Sequence, residues 1–225
     1  MSKLYLVPTP IGNLDDITFR AIRVLEEVDL ILAEDTRRTK ILLDRYKIQK
    51  KLSSYHAFNE HKILDRIMDE FRQEKTIALV TDAGTPGISD PGFLLVRRCL
   101  EEHIKVECLP GPTAFIPALV ASGIPCDRFV FEGFLPVKKG RNKRLKELAG
   151  ERRTMVFYES PQRIARTVGD LLKAFGPGRR ASLSRELTKI HEETVRGILE
   201  ELAEFTASKT LKGEIVLVVQ GRSDR

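Results

Sequence analysis

Residues Thr76 to Gly92, T-I-A-L-V-T-D-A-G-T-P-G-I-S-D-P-G, constrain this chain more than any other stretch. Ile77, Ala78, Leu79 and Val80 form a continuous apolar run bounded by turn residues, as a buried strand does. Asp82-Ala83-Gly84-Thr85-Pro86-Gly87 ends it, because two glycines and a proline force a turn. A helix is expected to begin near Ser89-Asp90-Pro91, where a capping residue precedes a proline at an early helical position. Strand, tight polar loop and helix start are what α/β proteins place around a small ligand: glycine permits close approach, and free N–H groups face it. Taken alone, the loop is equally compatible with an ordinary strand-to-helix turn, since it holds no intact G-x-G-x-x-G.

The rest of the chain repeats the alternation. Leu4 to Val7 reads as a strand broken by Pro8-Thr9-Pro10-Ile11-Gly12-Asn13. Asp15 or Asp16 is expected to cap a helix carrying Phe19, Ile22, Leu25 and Val28 at every third position. Strands are expected at 30–33 and 51–55, a helix from about Thr39 to Tyr46, and a long amphipathic helix through Ile63, Ile67, Met68 and Phe71. Lys105 to Cys108 is a further strand, stopped by Pro110-Gly111-Pro112. A mostly apolar helix from Thr113 to Ser122 ends at Gly123-Ile124-Pro125, where the domain boundary is placed, giving domains 1–122 and 123–225. The second half is expected to contain strands at 128–132, 155–158, 181–184, 193–196 and 214–219, with helices at 161–175 and 198–205. Strands and helices alternating at these lengths imply an α/β fold with a mostly parallel, wound sheet.

Composition narrows the function classes. The 225 residues are 42% hydrophobic, enough for a globular core, and no apolar run is long enough to span a membrane. Met1 to Gly12 lacks the apolar core of a signal peptide and contains Pro8 and Pro10. Three scattered cysteines, Cys99, Cys108 and Cys126, show no C-x-x-C spacing, so neither a zinc site nor a disulfide framework is indicated and a reducing cytoplasm is the expected setting. The net charge of +6 suits a polyanionic partner. His56 and His61 are wrongly spaced for one helical face, and no metal site is expected. Neither a Gly-x-Ser-x-Gly elbow nor a Walker-type lysine loop is present.

Polar clusters follow successive strands, where α/β sheets gather ligands: 8–13, 34–37, 82–89, 110–113, 159–163 and 185–189. The run Lys138 to Lys146 holds six cations in nine residues, a candidate phosphate contact.

Seven segments carry a resemblance: V-P-T-P-I-G-N-L-D-D-I-T (7–18), A-E-D-T-R (33–37), D-A-G-T-P-G-I-S-D-P-G (82–92), L-P-G-P-T-A (109–114), S-G-I-P (122–125), F-Y-E-S-P-Q-R (157–163) and R-E-L-T-K-I-H-E-E (185–193). Together they run the length of the chain, which resembles the tetrapyrrole-methylase superfamily and, within it, the bacterial 16S rRNA cytidine 2′-O-methyltransferases. The resemblance implies two α/β domains with S-adenosylmethionine in a cleft between them, the N-terminal domain carrying the cofactor loops and the C-terminal one completing the cleft, usually in a cytoplasmic homodimer with no membrane partner. Relatives often continue past the final strand, where this sequence stops at Arg225, so the resemblance carries over no RNA contact from such an extension.

Carried over by motif, the cofactor loop is Asp82, Gly84, Thr85, Pro86, Ile88 and Ser89, with Pro10, Ile11 and Gly12 and the turn Pro112, Thr113 and Ala114 as further walls. The implied reaction is in-line methyl transfer to a ribose 2′-hydroxyl of 16S rRNA in the small ribosomal subunit. A weak nucleophile of this kind needs alignment, with help from a base or a cation. Asp35 or Glu186 is the expected proton acceptor, and Lys189 and Arg163 the orienting cations. Glu186 and Lys189 would share a face if their segment is helical. Arg37, His56, Asn59 and Glu60 are expected on the RNA side, and Lys138, Lys139, Arg141, Lys143 and Arg144 on phosphates. Two other readings compete: C-methylation of an acidic tetrapyrrole, and a non-catalytic RNA-binding assembly factor.

Overall fold

The computed structural model describes residues 2–223; Met1, Asp224 and Arg225, where the sequence stops, lie outside the described residues. The chain divides into two compact units, Met1–Thr113 and Ala114–Arg225.

In the first unit five strands, β1 (Lys3–Leu6), β2 (Leu30–Ala33), β3 (Leu52–Ser54), β4 (Thr76–Val80) and β5 (Lys105–Cys108), form one sheet in the order β3-β2-β4-β1-β5. Every pairing is parallel. The helices α1 (Phe19–Glu27), α2 (Thr36–Arg45), α3 (Glu60–Arg72) and α4 (Phe93–Glu101) fill the crossovers. The first two crossovers travel one way along the sheet and the last two the other way. Right-handed crossovers running in opposite directions deliver their helices to opposite faces, and the cores agree. Ile31, Ala33, Ala78 and Val80 pack with α1 and α2 through Val24, Leu25, Leu42 and Leu43. Their strand neighbours Leu30, Leu32, Ile77 and Leu79 pack with α3 and α4 through Ile67, Met68, Phe71 and Leu95. The winding direction reverses between β1 and β4, so the loops leaving those two strands part over the crevice where open α/β sheets hold their ligands.

The second unit holds α5 (Phe115–Ala121), β6 (Phe129–Phe134), α6 (Arg141–Ala149), β7 (Thr154–Glu159), α7 (Ile164–Phe175), β8 (Arg180–Arg185), β9 (Glu193–Ile198), α8 (Leu199–Ser208) and β10 (Ile215–Val219). Its sheet runs β6-β7-β10-β8-β9. Only β6 and β7 are parallel; the other three pairings are antiparallel. The expectation of a mostly parallel sheet is therefore corrected for this half. The turn at 186–192 joins β8 directly to β9, and strands joined without a crossover pair antiparallel.

Three local boundaries also differ from the sequence reading. Thr18 caps α1, its Oγ1 accepting from Ala21 N at 3.0 Å, while Leu14–Asp16 is a separate 3-10 turn. Helix α4 starts at Phe93 rather than near Ser89, because Ser89 at φ +67° and Gly92 at φ +152° hold the backbone out of helical geometry. The division between units precedes α5, whereas the sequence reading placed the boundary after it.

Candidate functional site

Three loops meet above the crevice of the first sheet. Thr9 and Gly84 form an antiparallel rung, each N–H donating to the other's carbonyl at 2.9 Å. Thr9 Oγ1 also donates to the Thr81 carbonyl at 2.9 Å. The third loop joins through Thr85, whose Oγ1 lies 2.6 Å from Thr113 Oγ1 and donates to the Pro112 carbonyl at 3.1 Å. Close approach is built in: a Cβ added at Gly111 would stand 2.6 Å from Pro8 Cβ. Gly84 at φ +89°, Gly87 at φ +84° and Ser89 turn through the left-handed region, which only glycine enters at no steric cost. A Cβ at Gly87 would meet nothing within 4 Å, so the tip of this loop faces open space.

The expected cofactor residues are thus brought together within the first unit, with Pro10, Ile11, Gly84 and Pro86 buried and Gly12 and Ser89 exposed. Ala114 caps α5 and opens the second unit.

Carboxylates gather at the same edge of the sheet. Glu34 accepts from Thr81 Oγ1 at 2.8 Å. Asp82 accepts from Asp35 N at 3.0 Å and pairs with Arg38 at 3.2 Å. Burial, reinforced by the Glu34 charge, pushes Asp90 up to about 6. Burial also raises Asp82, with Glu34 and Asp35 adding to the shift and the Asp35 backbone opposing it. Sequence reasoning read Asp90 only as part of a helix start; its signal was a carboxylate lying directly beyond the glycine-proline loop.

Asp35 caps α2, its Oδ1 accepting from Arg37 N at 2.9 Å, and its carboxylate is forked by the Arg37 guanidinium at 3.0 and 2.7 Å. Those bonds hold it far below the usual carboxylate range, which makes it a weak proton acceptor. Arg37 is therefore occupied. Asn59 bridges its own loop, accepting from His56 N at 2.8 Å and donating to the Ser54 carbonyl at 3.2 Å. His56 stands edge-on to the exposed Phe58, 6.1 Å between ring centroids, and its Nδ1 is buried without a partner among the described residues. Glu60 accepts from the Tyr55 hydroxyl at 3.2 Å.

In the second unit the segment after β8 is a turn, not a helix, yet it does bring Glu186 and Lys189 together. Lys189 Nζ also reaches Glu214 Oε2 at 3.2 Å, and Glu186 Oε1 accepts from Glu214 N at 3.1 Å. The Lys189 ammonium lowers Glu186. Burial works against the Lys189 charge, but its bonds to Glu186 and Glu214 prevail and raise it.

Arg163 donates to the Leu135 carbonyl at 2.7 Å and lies 3.3 Å from Glu159, which is 2% exposed. The expectation for Arg141 is corrected. It is 3% exposed, and its guanidinium is consumed by Asp170 Oδ2 at 2.8 Å, Thr167 Oγ1 at 2.9 Å and the Pro136 carbonyl at 3.0 Å. A buried guanidinium with its donors filled cannot also reach phosphate; it clamps α6 onto α7. Arg144 is half-committed as well, forked onto Glu132 at 2.9 and 2.7 Å. Lys138, Lys139 and Lys143 remain exposed and form no ion pair among the described residues.

Comparison with known proteins agrees with this geometry. The family model described as Tetrapyrrole (Corrin/Porphyrin) Methylases matches residues 3–203. A Halalkalibacterium halodurans protein named Ribosomal RNA small subunit methyltransferase I is 49% identical over 223 residues, covering 99% of this chain and 77% of that one. A Thermotoga maritima protein of the same name is 48% identical over 223 residues, covering 99% of this chain and all of that one. The crystal structure of uroporphyrin-III C-methyl transferase from Thermus thermophilus, complexed with S-adenyl homocysteine, superposes with a TM-score of 0.67 at 21% identity and covers 96% of each chain, a likeness of fold.

Proposed function

The chain belongs to the tetrapyrrole methylase family, and from that premise we propose that it is an S-adenosylmethionine-dependent methyltransferase acting on 16S rRNA of the small ribosomal subunit, at a cytidine ribose 2′-hydroxyl. The observation that carries this reading is the identity of 49% and 48%, over nearly the whole chain, with two proteins named for methylation of that RNA.

The residues present fit the cofactor. The left-handed turns at Gly84 and Gly87 bend the loop so that its exposed tip can offer backbone amides and carbonyls to an adenosine, the N–H and C=O of Gly84 itself being taken by Thr9. The half-buried carboxylates Asp82 and Asp90 beside them complement a ligand that carries positive charge on its α-ammonium and its sulfonium. Once bound, the group supplies an activated methyl on its sulfur, so no metal or covalent protein nucleophile is required.

This chain's own part is then mostly alignment, worth several orders of magnitude in rate when the attacking oxygen lies in line. Asp35 and Glu186 are each tied to a cation and are weak acceptors. Lys189, held by two carboxylates, is a positioning cation for the hydroxyl or its phosphate. Arg163 steadies the loop after β7 through Leu135 and Glu159. Lys138, Lys139 and Lys143 hold the RNA backbone. Family membership also supports a homodimer working in the cytoplasm; no helix among the described residues is long and apolar enough to cross a membrane.

The test is transfer of labelled methyl from S-adenosylmethionine to small subunits lacking the mark, with a porphyrinogen as control. Label at a cytidine ribose supports the proposal. Label on the porphyrinogen alone overturns it, and negligible calorimetric heat with the cofactor would point to a non-catalytic RNA-binding factor.

A further inference from the structure

We propose that the cavity of about 400 Å³ beside α6 is a nucleobase subsite that takes one unpaired RNA base bearing an exocyclic amino group. The proposal rests on RNA being the substrate and adds where one base of it is read. The cavity is lined by Glu132, Phe134, Pro136, Lys143, Arg144 and Glu147, all within the second unit.

Three observations converge on it. The first is Phe134, which ends β6 and is 53% exposed. Its ring is braced edge-on by Tyr158, with centroids 5.8 Å apart at 61°, and Tyr158 is itself braced by Phe131 at 5.0 Å and 78°. An aromatic ring fixed by its neighbours yet open to solvent is a platform on which a base stacks at little entropic cost.

The second is the carboxylate acceptors inside. Arg144 is shared between Glu132, which it forks, and Glu147 at 3.0 Å. With Lys143 also on the lining, the charges of the cavity balance, and what distinguishes its inner wall is a pair of carboxylates sharing one guanidinium. Those carboxylate oxygens accept from amino groups on a base edge, as carboxylates do with the cytosine N4 amine.

The third is the rim. Lys138 and Lys139 precede α6 and Lys143 lies in its first turns, all three exposed and unpaired among the described residues. They place positive charge at the mouth of the cavity, through Lys143, and beyond it, through Lys138 and Lys139, where the phosphates of a nucleotide seated in it would run. Stacking surface, carboxylate acceptors and positive rim match the three parts of an unpaired amino-bearing nucleotide.

Fluorescence anisotropy with single-stranded oligocytidylate and oligouridylate tests this on the full chain. Wild type should prefer the cytidine probe. Phe134→Ala and Phe134→Leu should each weaken cytidine-probe binding at least about fivefold with the salt dependence unchanged, whereas Lys143→Ala should lower the salt slope by about one. In methyl transfer to small subunits, Phe134→Leu should raise KM and leave cofactor affinity alone. Equal binding of the two probes, or a Phe134→Leu enzyme with wild-type KM, overturns the subsite while leaving the RNA reading intact. Failure of wild type to methylate rRNA at all would sink the RNA reading itself. A Phe134→Leu protein of halved mass in solution would assign the ring to a subunit interface and also overturn the subsite.

Discussion

Lys189 Nζ lies 2.8 Å from Glu186 Oε1 because the chain between them turns through two left-handed residues, Glu186 at φ +51° and Thr188 at φ +66°. A conformation that bulky side chains avoid is kept where surrounding contacts over-determine it. Here they include Glu214, and Gly213, whose missing side chain leaves the space that Glu186 fills. Lys189→Ala should therefore slow methyl transfer by about a hundredfold and change cofactor affinity little. Single-turnover rates beside calorimetric titration check this; equal losses in both would remove Lys189 from the transfer step.

Arg141→Ala should behave as a core lesion. It leaves a buried space and takes the near partner from Asp170, whose carboxylate is partly exposed and keeps Arg166 at 3.8 Å, so the loss should be about 3 kcal/mol, the lower end for a broken buried pair. Urea unfolding should show that loss, while any folded variant keeps the RNA salt slope of wild type. A variant of normal stability with a reduced slope would return Arg141 to the phosphate contacts.

Gly111→Ala pushes a Cβ to 2.6 Å from Pro8, and a proline ring cannot swing aside. The two loops should separate by a few tenths of an ångström or more. We expect S-adenosylmethionine affinity to fall about tenfold, a loss of about 1.4 kcal/mol, with the circular dichroism of the folded chain preserved. Unchanged affinity would show that these loops do not shape the cofactor site.

Asp90 gives a pH dependence. Folded, it keeps its proton up to about pH 6; its ordinary value is 3.8. Between those values the folded chain holds a proton that the unfolded chain has lost. Asp90 therefore makes stability fall as pH rises through that window and stay lower above it. Asp90→Asn should stabilise the cofactor-free protein at pH 7 by roughly 1 kcal/mol, allowing for the solvent that reaches this half-buried group, and should flatten the fall between pH 4 and 6. Chemical denaturation across that range measures it; a variant less stable than wild type at pH 7 would contradict the assignment.

Much of the first unit was legible because its strands are short apolar runs with both faces covered, and Ile77 to Val80 is the plainest of them. The loops were legible as glycine-proline breaks after those runs. What escaped depends on partners distant in sequence. Nothing local marks Arg141 as buried; its fate is set by Asp170 and Thr167 on another helix. The antiparallel half of the second sheet was hidden because β8 and β9 look like any other pair of strands until the helix between them proves absent. The late start of α4 turns on the left-handed φ of Ser89, which a serine does not announce. Asp35 was rightly seen as a carboxylate at the sheet edge, but its capture by Arg37 depends on the helix cap between them.

The rung between Thr9 and Gly84 carries a consequence for how this fold can change. Surface connections ordinarily absorb insertions freely. Here the segments leaving β1 and β4 are hooked to each other by two backbone bonds of 2.9 Å, so one added residue in either would put the donors out of step with their acceptors. Insertions in this half of the protein are therefore expected to be tolerated instead at the opposite rim of the sheet, where the helices feed back into the strands.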